Sequence, residues 1–534
     1  MKLSSEQEAV VAAHDRLVLV NAFAGAGKTS TIMEYIKARK KSRILTLVFN
    51  HSASQDMQDK AKKHNIKGKD FSTIHAFAYK NVRAIRPDLI QRLTDKILPG
   101  DLANRFGTKL VADKKRRFIA AKTLGTLFTD FCKSNKNTIK EYINEGFNKK
   151  IDETISRLNL HSGRIIDCLL EMENDLQSDT NNFPITHDGY LKWWQVYCNT
   201  KDLGYDEILV DEAQDTTNCA LALVLGQKNS KYRFIGDRYQ QIYAWNGCVN
   251  SFPKLEKMGA TSLALTQSFR CPDRIAVLAR PYLALLGASL RFRGCDVECP
   301  DDGKKAILCR TNAAVINTLY HLKENKVPSE TICLYGGVKS YNFSDIFDIA
   351  NLASGKKDKI QSAEVKAFGT FQDFKEYVEE IDDFKNKKNC ELVSRFGPSG
   401  IFHLRGFLQK EPYSDTPVQN GIIVSTAHKS KGSEFGTVEL ATDFFTISDL
   451  LSSKEKELMI PFEDLRILYV AITRAKASFS PFSRERYALK PEILQKLYEM
   501  LQQNSIKTHD VGEKGETVDT TSTTIQGIEN YALS

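Results

Sequence analysis

The stretch "RLVLVNAFAGAGKTS" (Arg16–Ser30) decides the fold. Four consecutive apolar residues, Leu17 to Val20, read as a strand covered on both faces. The chain then turns through Gly25 and Gly27 and enters a helical segment from Thr29 to Lys40. Strand, glycine-rich loop and helix in that order wrap phosphates with backbone N–H groups at a helix N-terminus. Ala24, Gly25, Ala26, Gly27, Lys28, Thr29 and Ser30 are therefore the candidate nucleotide ligands. Lys28 would reach the β/γ-phosphates, and Thr29 would offer its hydroxyl to Mg²⁺. Ala22 stands at the first position of GxxxxGK[ST], so the strict pattern is missed by one residue.

Outward from this stretch, short β-branched runs recur and close on polar or glycine-rich turns. They are "RILTLVFN" (43–50), "DEILVDEAQD" (206–215), "YRFIGD" (232–237) and "SLALTQSFR" (262–270). A second group is "KAILCRTN" (305–312), "GIIVSTAHKSKG" (421–432) and "TVELATDFF" (437–445). Helical segments alternate with them, which is the α/β, doubly wound pattern. Two stretches interrupt it: a basic, mostly helical one over about 80–190 and a charged, irregular one over about 345–418. The tail from about 503 lacks apolar periodicity and is expected to be loose.

The length of 534 residues exceeds a single core, and no apolar run is long enough to span a bilayer. The opening "MKLSSEQEAV" has no apolar leader, so a cytoplasmic location is expected: nucleoid-associated in a bacterium, nuclear in a eukaryote. Eleven scattered cysteines, none spaced as CxxC, suit buried free thiols better than a metal site. Lys80–Leu160 holds 18 basic and nine acidic residues, an excess equal to the formal charge of the whole chain, +9. Such a segment is either a solvated helical face or a surface for phosphate backbones.

"ILVDEAQD" (208–215) delivers Asp211 and Glu212 at the end of a buried strand. Asp211 would hold Mg²⁺ and Glu212 would polarise an attacking water, although an acidic helix N-cap has the same spelling. Arg270 and Arg474 are candidates to neutralise a transferring phosphoryl group; each alone also reads as a surface arginine. Tyr243 and Trp245, in "FIGDRYQQIYAWNG" (234–247), read as core packing or as a base-stacking surface.

The ordered series of motifs resembles superfamily 1A DNA helicases of the UvrD/Rep/PcrA type. "LSSEQ" (3–7) resembles the Q motif, "AFAGAGKT" motif I, "LVFNHSASQDM" (47–57) motif Ia and "FSTIHAFA" (71–78) motif Ib. "LVDEAQD" resembles motif II, "GDRYQQIYAWNG" motif III and "LTQSFR" motif IV. "STAHKSKGSEF" (425–435) and "LRILYVAITRA" (465–475) resemble motifs V and VI. The wording sits closest to the F-box DNA helicase branch, with no F-box expected because the first motif begins at residue 3.

The resemblance implies two RecA-like P-loop domains, each with an inserted subdomain, closing on ATP. Domain 1A would take 1–79 and 187–270, helical insertion 1B 80–186, and domain 2A 271–345 and 419–502. A reduced 2B would fill 346–418, about 70–75 residues, ahead of the tail 503–534. It also implies that Gln7 reads the adenine edge, Phe269 stacks on adenine, Glu434 faces the nucleotide and Gln240 contacts the γ-phosphate. Phe49, Asn50, His75, Tyr243, Trp245 and His428 would line a single-strand DNA path. Asn246 stands where relatives commonly carry Arg, and Ser433 replaces a common apolar residue.

The implied activity is ATP- and Mg²⁺-dependent 3′→5′ translocation on single-stranded DNA with unwinding of tailed duplexes. A translocase that strips proteins from DNA, and an ATP-switched subunit recruiting a nuclease, repair or defence partner, stay open on the residues alone. So do the pathway and RNA as substrate, because stacking does not read the sugar.

Overall fold

The computed structural model describes residues 2–112, 114–144, 152, 155–156, 160–198, 202–295, 302–341, 343–380, 383–410, 413–418, 420–451, 458–503, 506–511 and 517–533. The chain packs as two units: Met1–Ser268 with Val511–Val518, and Phe269–Asp510 with Asp519–Ser534.

The first unit is built on a six-stranded sheet in the order Lys69–Thr73, Ile44–Val48, Glu207–Asp211, Lys231–Gly236, Leu17–Ala22, Thr261–Leu265. All neighbours are parallel; Val18 pairs with Arg233 on one side and Thr261 on the other. Alternate residues of each strand feed opposite faces. Val18 and Val20 join Ile32, Tyr35 and Ile36 on one face, whereas Leu19 joins Leu221, Phe234, Phe252 and Leu255 on the other. Each fully buried Val or Leu contributes about 1.5–3 kcal/mol relative to exposure, so coverage of both faces by helices is what holds these apolar strands parallel. The carboxyl ends of the strands run into Phe23, Phe49, Ile74, Glu212 and Asp237, which gathers the motif residues along one sheet edge.

Among the described residues between Thr73 and Glu207 the main elements are the helices Ile74–Ile85, Pro99–Leu110, Lys114–Lys133, Ser162–Gln177 and His187–Cys198. Leu102, Phe106, Leu124, Phe131, Leu169 and Met172 form a core of its own. Lys192 is fully buried and donates to the carbonyls of Ser134 and Lys136 and to Gln195 Oε1, at 2.7–2.9 Å. Burial pulls its pKa below the ordinary lysine value.

The second unit holds a parallel sheet in the order Ile332–Leu334, Ile422–Thr426, Lys305–Cys309, Phe435–Leu440, Ala475–Phe479. Both units are thus mixed α/β with parallel sheets, the expected fold class. Among the described residues, no helix is long and apolar enough to cross a membrane.

Three expectations need correction. Residues 345–418 are not irregular: they carry the helices Ser344–Ala353, Phe371–Glu380 and Phe384–Lys410, the last kinked at Gly397 with φ 68°. Charged outer faces had hidden their helical period. "SLALTQSFR" is not one strand; Thr261–Leu265 belongs to the first sheet and Gln267–Pro272 is a separate strand outside it.

The described residues of the tail are not loose either. Ile506–Val511 pairs in parallel with Leu458–Pro461, and helix Thr521–Leu533 packs on helix Asp273–Leu285. Thr524 Oγ1 donates to the Leu285 carbonyl at 2.8 Å, and Gly527 permits the crossing: a Cβ there would stand 1.9 Å from the Ala284 carbonyl oxygen.

Candidate functional site

In the first unit the phosphate-type loop leaves the sheet after Ala22. Gly25 and Gly27 sit at φ +70° and +77°, a region open to glycine, so the loop closes without a Cβ clash. Ala24 and Ala26 are buried, and Ser268 Oγ donates to the Ala24 carbonyl at 2.9 Å. Helix Lys28–Ala38 begins directly after the loop, with Thr29 and Ser30 half-buried in its first turn.

Lys28 Nζ lies 3.3 Å from Glu212 Oε1. Asp211 ends its strand buried, its carboxylate accepting the Glu212 N–H at 3.0 Å. Glu212 has φ +53°, left-handed for a residue with a Cβ, which costs on the order of 1 kcal/mol or more. That strained turn aims the carboxylate back at Lys28.

Gln214 Nε2 donates to Glu212 Oε2 at 2.5 Å, and its Oε1 accepts the Asp237 N–H at 3.0 Å. Asp237 in turn accepts from Gln240 Nε2 at 2.8 Å and from the Tyr239 N–H at 3.0 Å. Lys28, Glu212, Gln214, Asp237 and Gln240 are thereby one polar chain. Phe23 stacks on Tyr239 at 5.8 Å, and burial pushes the Tyr239 hydroxyl up to about 12. Gln214 and Asp237 were missed from sequence; the adjacent Gly236, whose Cβ would fall 2.2 Å from Gln214 Oε1, is the signal that could have found them.

Gln7 belongs to a capping box, its Oε1 accepting the Ser4 N–H at 3.0 Å while its own N–H donates to Ser4 Oγ. The side chain is buried, and Nε2 has no partner among the described residues. An amide N–H₂ left over in this way suits a ring-nitrogen acceptor.

A second constellation lies on the same sheet edge. Phe49 is 41% exposed and stacks on Tyr243 with centroids 5.1 Å apart and planes 18° from parallel. Asn50 is occupied as the N-cap of helix His51–Lys63, accepting the Ala53 N–H at 2.8 Å. His75 Nε2 lies 4.0 Å from Asp188, and desolvation holds its pKa below the ordinary imidazole value despite that carboxylate. The backbone of Trp245 lies in the 3₁₀ turn Ala244–Asn246; its side chain lies outside the described residues. Asn246 Oδ1 accepts from Lys133 Nζ at 2.9 Å, a partner no local sequence signal reveals.

In the second unit, Arg270 Nε donates to Glu434 Oε2 at 2.9 Å, and Phe269 beside it is 43% exposed. Arg474 is buried, donating to the carbonyls of Val470 at 2.9 Å and Ser433 at 3.2 Å. The Ser433 hydroxyl bonds Tyr335 at 2.7 Å, which accounts for a polar residue there. His428 is half-buried just past strand Ile422–Thr426. The neighbouring Lys429, also missed, donates to the Ser340 carbonyl at 2.6 Å over the Tyr341 ring; burial lowers its pKa.

Residues 3–257 match the UvrD/REP helicase N-terminal domain. The chain is 28% identical over 515 residues to F-box DNA helicase protein 1 of Schizosaccharomyces pombe, covering 89% of this chain and 56% of that protein. It is 26% identical over 519 residues to F-box DNA helicase 1 of Gallus gallus, covering 89% and 48%. A probable DNA helicase II homolog of Mycoplasma genitalium is 27% identical over 317 residues, 53% of this chain and 42% of the relative. The chain spans about half the length of the curated relatives it matches. The strand, loop, helix and paired carboxylate described above thus lie within the segment, Leu3 to Lys257, that matches the UvrD/REP helicase N-terminal domain.

Proposed function

We propose that this chain is a DNA-stimulated ATPase that moves 3′→5′ along single-stranded DNA and unwinds tailed duplexes. The observation that carries this reading is the segment from Asp237 to Asn246. One end bonds, through Gln214, to the Lys28–Glu212 pair; the other holds the exposed Phe49–Tyr243 stack. A change at the phosphate loop therefore has a short route, through these bonds and ten residues of backbone, to an aromatic surface, as a motor on nucleic acid requires.

The residues fit ATP. The positive-φ loop offers backbone N–H groups to phosphates, and the unpartnered Gln7 Nε2 suits a purine acceptor. Thr29 and Asp211 supply hard oxygens of the kind Mg²⁺ takes, and the metal when bound would neutralise phosphate charge. Lys28 would bind the phosphates, Glu212 would take the proton of an attacking water, and Gln240 would orient the phosphoryl group. Arg270 and Arg474 would stabilise its charge, with Glu434 and Phe269 as further nucleotide contacts. His428 would extend the strand path begun by Phe49, His75 and Tyr243. The relatives are named DNA helicases, which supports DNA as the strand.

Domain boundaries are proposed as 1–79 with 187–270, 271–345 with 419–502, and insertions at 80–186 and 346–418. The reading is tested by strand displacement on duplexes with 3′ or 5′ tails, alongside ATP turnover with and without single-stranded DNA. Displacement confined to the 3′-tailed substrate is expected. Stimulation of turnover below about twofold would remove the motor reading, because a step of even 0.4 kcal/mol would give that much.

A further inference from the structure

Lys133 ends the helix Lys114–Lys133 of the helical insertion, yet its contacts are with residues far away in sequence. Its ammonium donates to Asn246 Oδ1 at 2.9 Å and lies 3.6 Å from Asp188, whose other oxygen is 4.0 Å from His75. Its aliphatic stem lies against Gly247, where a Cβ would stand 2.7 Å from Lys133 Cδ; Gly247 is at φ +71°. The turn so gripped is closed by Asn246 N–H to the Tyr243 carbonyl at 2.9 Å, and Tyr243 carries the stack on Phe49. The Lys133 side chain is 13% exposed, and it reaches outward to an exposed Asn246.

We infer that Lys133 is a positioning residue for nucleic-acid binding: through Asn246 it fixes the 243–247 turn, and with it the Phe49–Tyr243 platform, to the helical insertion. This rests on the reading that the platform binds single-stranded DNA. Asn246 supplies the acceptor and Gly247 the room for the lysine stem. The insertion thereby sets how readily the platform accepts a strand, without itself touching a base.

The test is a double-mutant cycle on the full chain with Lys133→Met, Asn246→Ala and the double variant. ATP turnover is titrated with oligo-dT, separating the half-saturating DNA concentration from turnover at saturation. Each single variant should raise the half-saturating concentration about five- to tenfold, the size of one ordinary net hydrogen bond, with saturated turnover kept within about twofold. The double variant should be no worse than the weaker single one, because both remove the same bond. A Lys133→Met titration within twofold of wild type overturns the inference. So do effects that multiply in the double variant, or a matching fall in saturated turnover, which marks a folding role. A wild type that oligo-dT does not stimulate overturns instead the strand-binding reading beneath it.

Discussion

Gln214 and Asp237 are bonded across 23 positions of sequence, the glutamine amide accepting the Asp237 N–H while its other end donates to Glu212. Neither is a reacting group in the proposed chemistry. Together they hold Glu212 in a backbone conformation it would not choose alone, opposite Lys28. The arrangement makes the carboxylate's orientation depend on the strand next door.

Glu212→Gln preserves size and removes the charge. It should retain nucleotide binding and lower turnover about 100-fold or more, the usual worth of a general base. Nucleotide binding and steady-state hydrolysis, measured on one preparation, check it; near-normal turnover would place the base elsewhere.

Gly236→Ala introduces a Cβ 2.2 Å from Gln214 Oε1 and 2.9 Å from the Ala213 backbone nitrogen. Both are buried and neither can retreat cheaply, so a loss of about 1–3 kcal/mol is expected from overpacking. Urea unfolding should show it, together with reduced turnover from the displaced Gln214. Unchanged stability would mean the strand shifts freely.

Tyr243→Ala should weaken single-strand binding by about 1–3 kcal/mol, the cost of losing one stacked base. Fluorescence anisotropy with labelled oligo-dT measures it. Phe49→Ala should have a comparable effect, and the two together less than the sum, since each ring supports the other.

Asp130, near Lys133 on the same helix, has its pKa raised to about 6 by desolvation, which outweighs the lysine's attraction. Unfolded, the group titrates near about 4. Its stabilising proton is therefore fully present below that value, and the benefit is lost as pH rises through about 6. Asp130→Asn should then be more stable than wild type at pH 8, with the gap closing by pH 4. Unfolding midpoints across that range decide it.

Much of the site was legible because its signals are local. Apolar strands ending in Gly-Lys-Thr or Asp-Glu place their own reactive groups, whatever the rest of the chain does. Residues whose role depends on distant partners gave no such signal: Gln214, Asp237 and Lys133 are unremarkable polar residues until the fold joins the first two beside Glu212 and brings the lysine to Asn246. Lys69–Thr73 was missed as a strand because, at the sheet edge, it stays partly exposed and spells no apolar run. The tail misled for a related reason. Its buried groups include Thr508, Thr521 and Thr524, hydroxyls that satisfy one another and the backbone and so need no hydrophobic period.

The Phe49–Tyr243 stack has a consequence for selectivity. Two rings already in contact are worth about 0.5–1.5 kcal/mol to each other, so a base entering between them must first displace that mutual attraction. On the proposed reading, the protein thus carries its own competitor for a stacking base. Bases that stack strongly overcome it and those that stack weakly do so less often. On the proposed strand path, a mild composition preference, steeper for purines than pyrimidines, would then emerge from stacking strength.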